Sequence, residues 1–183
     1  MIMTVAELRQ FIETDEADQA LEVRLQALEH SIRAYTNNNF QIRALRAVAS
    51  AMSEGQQLIT AAHNPFKPGD TLQITDSELN AGLFTVKAVE DGIITVNEEL
   101  YDEAGVVITK VWYTADVKLG VANMLKWQLD NGDKIGVASE TLSRHSVTYF
   151  NMDGDNSTMG FPKALLGFLK PYMKARFGQG MRA

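Results

Sequence analysis

Gly82-Leu83-Phe84-Thr85-Val86-Lys87-Ala88-Val89-Glu90-Asp91-Gly92-Ile93-Ile94-Thr95-Val96 decides the fold. Successive side chains of an extended chain point to opposite faces, so Phe84, Val86 and Ala88 fall on one side of a strand spanning Gly82 to Val89. Asp91-Gly92 is the kind of pair that accepts the positive φ angles of a tight two-residue turn. Ile93 to Val96 is rich in β-branched residues and forms the returning strand. The stretch is a β-hairpin.

Moving outward, the same short-strand character runs from about Gln41 to Tyr113. Thr71-Leu72-Gln73-Ile74-Thr75 alternates polar and apolar, as a half-buried strand does. Asn64-Pro65 and Pro68-Gly69-Asp70 make a loop before it. Glu54-Gly55 separates two further strands, around Arg43–Ala51 and Gln57–Ala62, and a last strand covers Val106 to Tyr113. Short strands with closely spaced turns imply a small barrel or sandwich, and a meander this short closes most simply as an SH3-like or OB-like barrel.

Helical periodicity flanks this module. Thr4 and Glu7 have capping-box spacing, which predicts a short helix to about Ile12. Asp15, in the polar stretch Glu13 to Asp18, is a candidate N-cap for the next helix. Leu21, Leu25, Leu28, Ile32 and Tyr35 form one apolar stripe read as core-facing, and Asn37-Asn38-Asn39 ends it, since Asn tolerates a left-handed C-cap. After Tyr113, Thr114 is a candidate N-cap with Asp116 in the first turn; Val117, Val121, Met124 and Leu125 form the stripe, and Asn131-Gly132 stops it. Ser146 to Phe150 reads as a strand and Asn151 to Gly160 as a polar loop. Pro162 suits a helix start, with Phe161, Leu165, Phe168, Leu169 and Tyr172 at helical spacing, and Pro171 predicts a kink or break. The end, Phe177 to Ala183, is expected to be mobile in the free protein.

The expected architecture is therefore α+β. Residues 1–40 and 114–183 form a small helical bundle, each part too small to bury its stripe alone, and residues 41–113 form an inserted β-barrel.

The chain has 183 residues, 45% hydrophobic and 22% charged, ordinary values for a globular protein. It has no cysteine, which excludes disulfides, thiolate metal sites and a cysteine nucleophile, and fits a reducing cytoplasm. No segment approaches the roughly 20 apolar residues of a membrane span, and the N-terminus has no basic region leading into an apolar run, so neither membrane insertion nor a signal peptide is expected. The net charge of −6 is unevenly placed: after Asp155 come Lys163, Lys170, Lys174, Arg176 and Arg182 and no acid, so the first 155 residues carry −11. An acidic body argues against tight nucleic-acid binding.

Reactive constellations are not legible. His30, His63 and His145 have no metal-ligand spacing between them. Ser139, Ser143, His145 and Ser146 lack the glycine-rich elbow that presents a hydrolase serine, and are read as turn residues satisfying their own backbone. Asn151-Met152-Asp153-Gly154-Asp155 places oxygen ligands as a calcium loop does, but Asn156 and Pro162 stand where such a loop needs Gly and Glu. No phosphate-cradling glycine loop is present. Trp112 and Trp127 are read as filling the seam between barrel and helices. No catalytic residue, cofactor or metal is assigned, and the chain is not expected to be an enzyme.

Three stretches together resemble the head–tail connector (adaptor, or head-completion) proteins of long-tailed bacteriophages and prophages. They are Thr4-Val5-Ala6-Glu7-Leu8-Arg9 with the helix running to Tyr35-Thr36-Asn37-Asn38-Asn39-Phe40; Ala115-Asp116-Val117-Lys118-Leu119-Gly120-Val121 with Gly136 to Tyr149; and Gly160-Phe161-Pro162 with Leu169-Lys170-Pro171-Tyr172. The Ser139-Glu140 and Ser143-Arg144-His145-Ser146-Val147-Thr148-Tyr149 portion is the most specific. Residues 41–113 depart from the purely helical members, and look like a β-barrel insertion in a longer variant. The resemblance implies a virion structural protein at the head–tail interface, assembled in the host cytoplasm. It implies a homo-oligomeric ring, commonly a dodecamer, docked under the portal protein. That ring extends the DNA channel toward a head-closure (stopper) or tail-completion protein, and genomic DNA slides through the lumen without sequence-specific binding. The basic residues Lys163, Lys170, Lys174, Arg176 and Arg182 are the candidate portal contacts. The alternative is a small-barrel binding module for a peptide, glycan or nucleic acid, although the barrel sequence lacks the basic, aromatic groove that single strands require. A hydrolase using His145 with Ser143 or Ser146 is the remaining reading.

Overall fold

The computed structural model describes residues 1–60, 64–132, 139–142, 145–148 and 155–175, with main chain only at 139–142 and 145–148. The chain is α+β and divides into two compact units. One unit is Met1–Thr4 with Asn38–Tyr113; the other is Val5–Asn37 with the chain from Thr114 onward. Among the described residues no helix is long and apolar enough to cross a membrane.

The first unit is a closed antiparallel barrel of six strands: β1 (Gln41–Met52), β2 (Gln57–Thr60), β3 (Thr71–Thr75), β4 (Gly82–Glu90), β5 (Ile93–Val96) and β6 (Glu103–Val111). The order around it is β1-β2-β5-β4-β3-β6, and β6 pairs back onto β1. This corrects the expected meander: β2 leads to β3 on the far side of the β3-β4-β5 run, and β5 takes the place beside β2. The interior is filled by alternate residues of every strand, among them Ala49, Ala51, Leu58, Leu72, Ile74, Phe84, Ile94 and Ile108, with Phe66 and Leu100 from loops. Each larger side chain there contributes about 1.5–3 kcal/mol of burial.

The Asp91-Gly92 turn has φ of 45° and 84°, the two positive values a type I′ turn requires. The pairing of β4 with β5 shifts register between Val86 and Ala88. One extra residue there reverses the facing of everything after it, so Val89, and not Ala88 as its spacing predicts, packs against the core. The barrel unit also takes in residues the sequence places with the helices. Met1 donates from its ammonium group to Thr71 Oγ1 at 2.6 Å, Thr71 Oγ1 donates back to the Met1 carbonyl at 2.9 Å, and Ile2 and Met3 are buried. Phe40 stacks obliquely on Tyr113, ring centres 4.9 Å apart.

In the second unit, α1 (Val5–Leu8) is shorter than expected, continuing to Ile12 only as turns. α2 runs Asp18–Thr36 and buries Leu21, Leu25, Leu28 and Ile32, with Tyr35 half-buried. Its N-cap is Ala17, not Asp15. The reason lies in Arg9, whose guanidinium gathers the carbonyls of Thr14 (2.8 Å) and Glu16 (2.9 Å) and the Asp18 carboxylate (2.6 Å), holding residues 14–17 out of the helix. Asn37 closes α2 at φ 52°, its N–H bonded to the Arg33 carbonyl.

α3 (Ala115–Asn131) buries Val117, Val121, Met124 and Leu125. Thr114 holds the N-cap position in extended conformation, but its hydroxyl caps no backbone group and meets the Tyr172 hydroxyl at 2.7 Å instead. β7 (Ser139–Leu142) and β8 (His145–Thr148) pair as an antiparallel two-stranded sheet, as do β9 (Ser157–Thr158) and β10 (Phe161–Pro162). Pro162 stands at the helix start, as its spacing predicts, holding the N-cap position while also ending a short strand. That helix, Lys163–Tyr172, is 3₁₀ throughout. Its buried residues are Leu166 and Leu169, three apart as three residues per turn demand, in place of the 3.6-residue stripe expected. Pro171 lies inside this helix without the expected break; having no N–H, it forgoes the three-residue bond to the Phe168 carbonyl that the winding would otherwise make. Lys174 N–H then bonds the Thr36 carbonyl at 2.8 Å, and Asn37 Nδ2 donates to the Ala175 carbonyl at 2.9 Å. Trp127 packs against Phe161 at 5.6 Å. Trp112 is 54% exposed.

Candidate interaction surfaces

Strand direction brings three loops to one end of the barrel: Ser53–Gln56 after β1, Asp76–Ala81 after β3 and Asn97–Asp102 after β5. The chain enters the barrel at Gln41 and leaves at Val111, both at the opposite end. The three loops carry Glu54, then Asp76 and Glu78, then Glu98, Glu99 and Asp102, and Glu103 opens β6 beside them; none contains Lys or Arg. That end is uniformly acidic.

It is also firmly built. Asn80, 3% exposed, donates to the Tyr101 carbonyl (3.0 Å) and to Glu103 Oε2 (2.8 Å) while accepting from the Tyr101 N–H (2.8 Å). Glu103 accepts further from the Ser77 hydroxyl at 2.6 Å and the Glu78 N–H at 2.8 Å. These donors, the Ser77 hydroxyl first, lower the Glu103 pKa to about 2. Asp102 is likewise held below the ordinary carboxylate value, chiefly by the Ser53 N–H at 2.6 Å. The framework holds out two large side chains, Leu79 (59% exposed) and Tyr101 (52% exposed).

The basic residues of the barrel unit, Arg43, Arg46, Lys67, Lys87 and Lys110, lie away from that end. Arg43 falls in the irregular stretch of β1 between Gln41 and Arg46, and Arg46, Val48 and Met52 share the outer face of the strand. Val48 is the most exposed large apolar residue described (63%), and Ile59 lies across β2, opposite Ser50. Lys110 is committed to Asp70 at 2.5 Å.

Of the candidate portal contacts, Lys163, Lys170 and Lys174 are exposed, and Arg176 and Arg182 lie outside the described residues. Lys163 Nζ donates to the Asp155 carbonyl at 2.7 Å. Seven residues of 3₁₀ helix set Lys163 and Lys170 about a third of a turn apart, so the structure does not gather them into one patch.

The remaining polar candidates divide similarly. His30 is exposed on α2, and His63 and Ser143 lie outside the described residues. Ser139, His145 and Ser146 lie in β7 and β8, whose main chains pair Ser139 with Thr148 and Leu142 with His145. Of the calcium-like run, residues 151–154 lie outside the description. Among the described residues no group of three or more acids or histidines is placed to hold a metal ion. A cleft of about 490 Å³ sits between the α1–α2 loop and α3, with Glu13, Asp15 and Asp130 against Lys126 over an Ile12 and Leu129 floor.

The acidic end escaped the sequence reading. Its signal was present, as carboxylates without bases in three separate turns, but only the strand order reveals that these turns share an end. Comparison with models of known protein families and with curated protein sequences finds no match.

Proposed function

We propose that this chain is a virion structural protein, a head–tail connector that forms a ring under the portal of a tailed bacteriophage and extends the DNA channel toward the tail. On this reading the helices of both chain ends form a small bundle that is the connector core, and the barrel is an SH3-like or OB-like insertion. The observation that carries it is the grouping of the connector-like segments, Val5–Asn37 and the chain from Thr114, into one compact unit, the barrel strands falling in the other. Ring formation needs two different complementary faces on each subunit, and the unequal distribution of charge along the chain supports such a pair. An acidic surface facing the lumen lets DNA pass without adhering, since phosphate attraction is what holds DNA to a protein. The segment from Lys163 onward, with Lys170, Lys174, Arg176 and Arg182, is the proposed portal contact; a stopper or tail-completion protein is the partner on the other side.

The test is antibody labelling of purified tailed particles viewed by electron microscopy. Label confined to the head–tail junction is expected, and particles bearing no label anywhere overturn the reading. For the portal contact, deletion of Gly178–Ala183 is expected to abolish attachment to purified heads, and unchanged attachment refutes that assignment.

A further inference from the structure

We propose that the acidic end of the barrel docks onto the outer β1 flank of the barrel in a second copy of this chain. The barrel is polarised: seven of the ten carboxylates in Asn38–Tyr113 stand in or beside the three loops at one end, and all five basic residues of that segment lie elsewhere. Each face also carries exposed apolar surface, Leu79 and Tyr101 on the acidic one, Val48 and Ile59 beside Arg46 on the other. The two faces therefore match in both respects, the loop carboxylates against Arg43 and Arg46, the two basic residues of β1, and apolar surface against apolar surface, which is the arrangement that fixes register and partner choice in protein contacts.

The acidic face repels nucleic acid, whose phosphates carry the same sign. The partner it fits is a basic protein surface with an apolar centre, and this chain supplies one. The contact is heterologous: the end of one barrel meets the side of the next, leaving a pair with one unused face of each kind, one on each copy, so it propagates and closes into a ring when the rotation allows. The face is also pre-shaped. Asn80 and Glu103 hold the loops that present Leu79 and Tyr101, so little freedom is lost on docking. The inference deepens the ring reading and rests on it for closure, but the contact itself is measurable on the purified protein.

The experiment is sedimentation velocity on the full chain at low salt and at about 0.5 M salt, where exposed charges are largely screened. Wild type is expected to self-associate, on the order of tenfold more weakly at high salt. Glu54→Arg/Glu78→Arg/Glu99→Arg and Arg43→Glu/Arg46→Glu, both altering exposed side chains, are each expected to remain monomeric, with circular dichroism confirming the fold. Mixing the two variants, or combining all five changes in one chain, is expected to restore association, because the charges then complement again. Wild type that stays monomeric at every concentration, association indifferent to both variants, or failure of the mixture to recover each overturns the docking. Particles labelled at the neck together with no swap-sensitive association would sink this contact and leave the connector reading standing; the reverse pair of results would do the opposite.

Discussion

The ring of Phe168 lies against Gly120 so closely that a Cβ on residue 120 would stand 2.5 Å from three of its carbons. The glycine in the middle of α3 is therefore the floor on which the 3₁₀ helix rests. Replacing it with alanine gains about 1 kcal/mol of helix propensity but forces the ring out, and overpacking of this kind costs about 1–3 kcal/mol. Gly120→Ala is expected to lose up to about 2 kcal/mol net in urea unfolding. Gly120→Ala/Phe168→Leu is expected to recover part of it, because the smaller side chain vacates the contact.

Lys110 and Asp70 form an ion pair across the barrel wall, 10% and 17% exposed. Asp70 Oδ2 also accepts the Lys67 N–H at 2.8 Å. Lys110→Met strands a carboxylate away from water and is expected to cost about 3 kcal/mol in chemical denaturation. Lys110→Met/Asp70→Asn removes the charge while keeping an acceptor for Lys67, and is expected to cost clearly less than the single change. Equal losses would show that the pair contributes nothing as a pair.

Glu103 gives the barrel a pH dependence of known sign. Its pKa falls from 4.5 to about 2 on folding, so its contribution is complete above pH 4.5 and is lost as pH drops toward 2. Acid titration followed by circular dichroism is expected to show stability declining across that window. Glu103→Gln is expected to be less stable than wild type at neutral pH and to show a shallower decline.

Asn80 joins two loops with donors and acceptors that alanine cannot replace. Asn80→Ala is expected to cost about 1–3 kcal/mol. Amide hydrogen exchange is expected to quicken in residues 76–81 and 97–102 and to stay unchanged in β1. Uniform loosening of the whole barrel would instead mark Asn80 as a general core residue.

What could be read in advance was what neighbouring residues decide among themselves. The stripe from Leu21 to Ile32, the left-handed Asn37 and the Asp91-Gly92 turn each follow from spacing or from the φ angles a residue tolerates. What could not be read depends on partners distant in sequence. The bulge after Val86 lies in the pairing of β4 with β5, and it exchanges the roles of Ala88 and Val89. Arg9 moves the N-cap of α2 from Asp15 to Ala17 through bonds invisible in the local pattern. The helix after Pro162 departs from its expected period: Phe168 and Leu169 suit a 3.6-residue stripe, while the burial falls on Leu166 and Leu169. The acidic end required the order of the strands before its loops could be seen as neighbours.

Pairing of β6 with β1 leaves the barrel no unpaired strand edge. An open sheet invites any passing chain to add itself through main-chain bonds, and such growth is indiscriminate and hard to reverse. With that route shut, the barrel can meet its own copies only through side chains. Crowding at high concentration then yields barrel contacts that salt or a few altered charges undo.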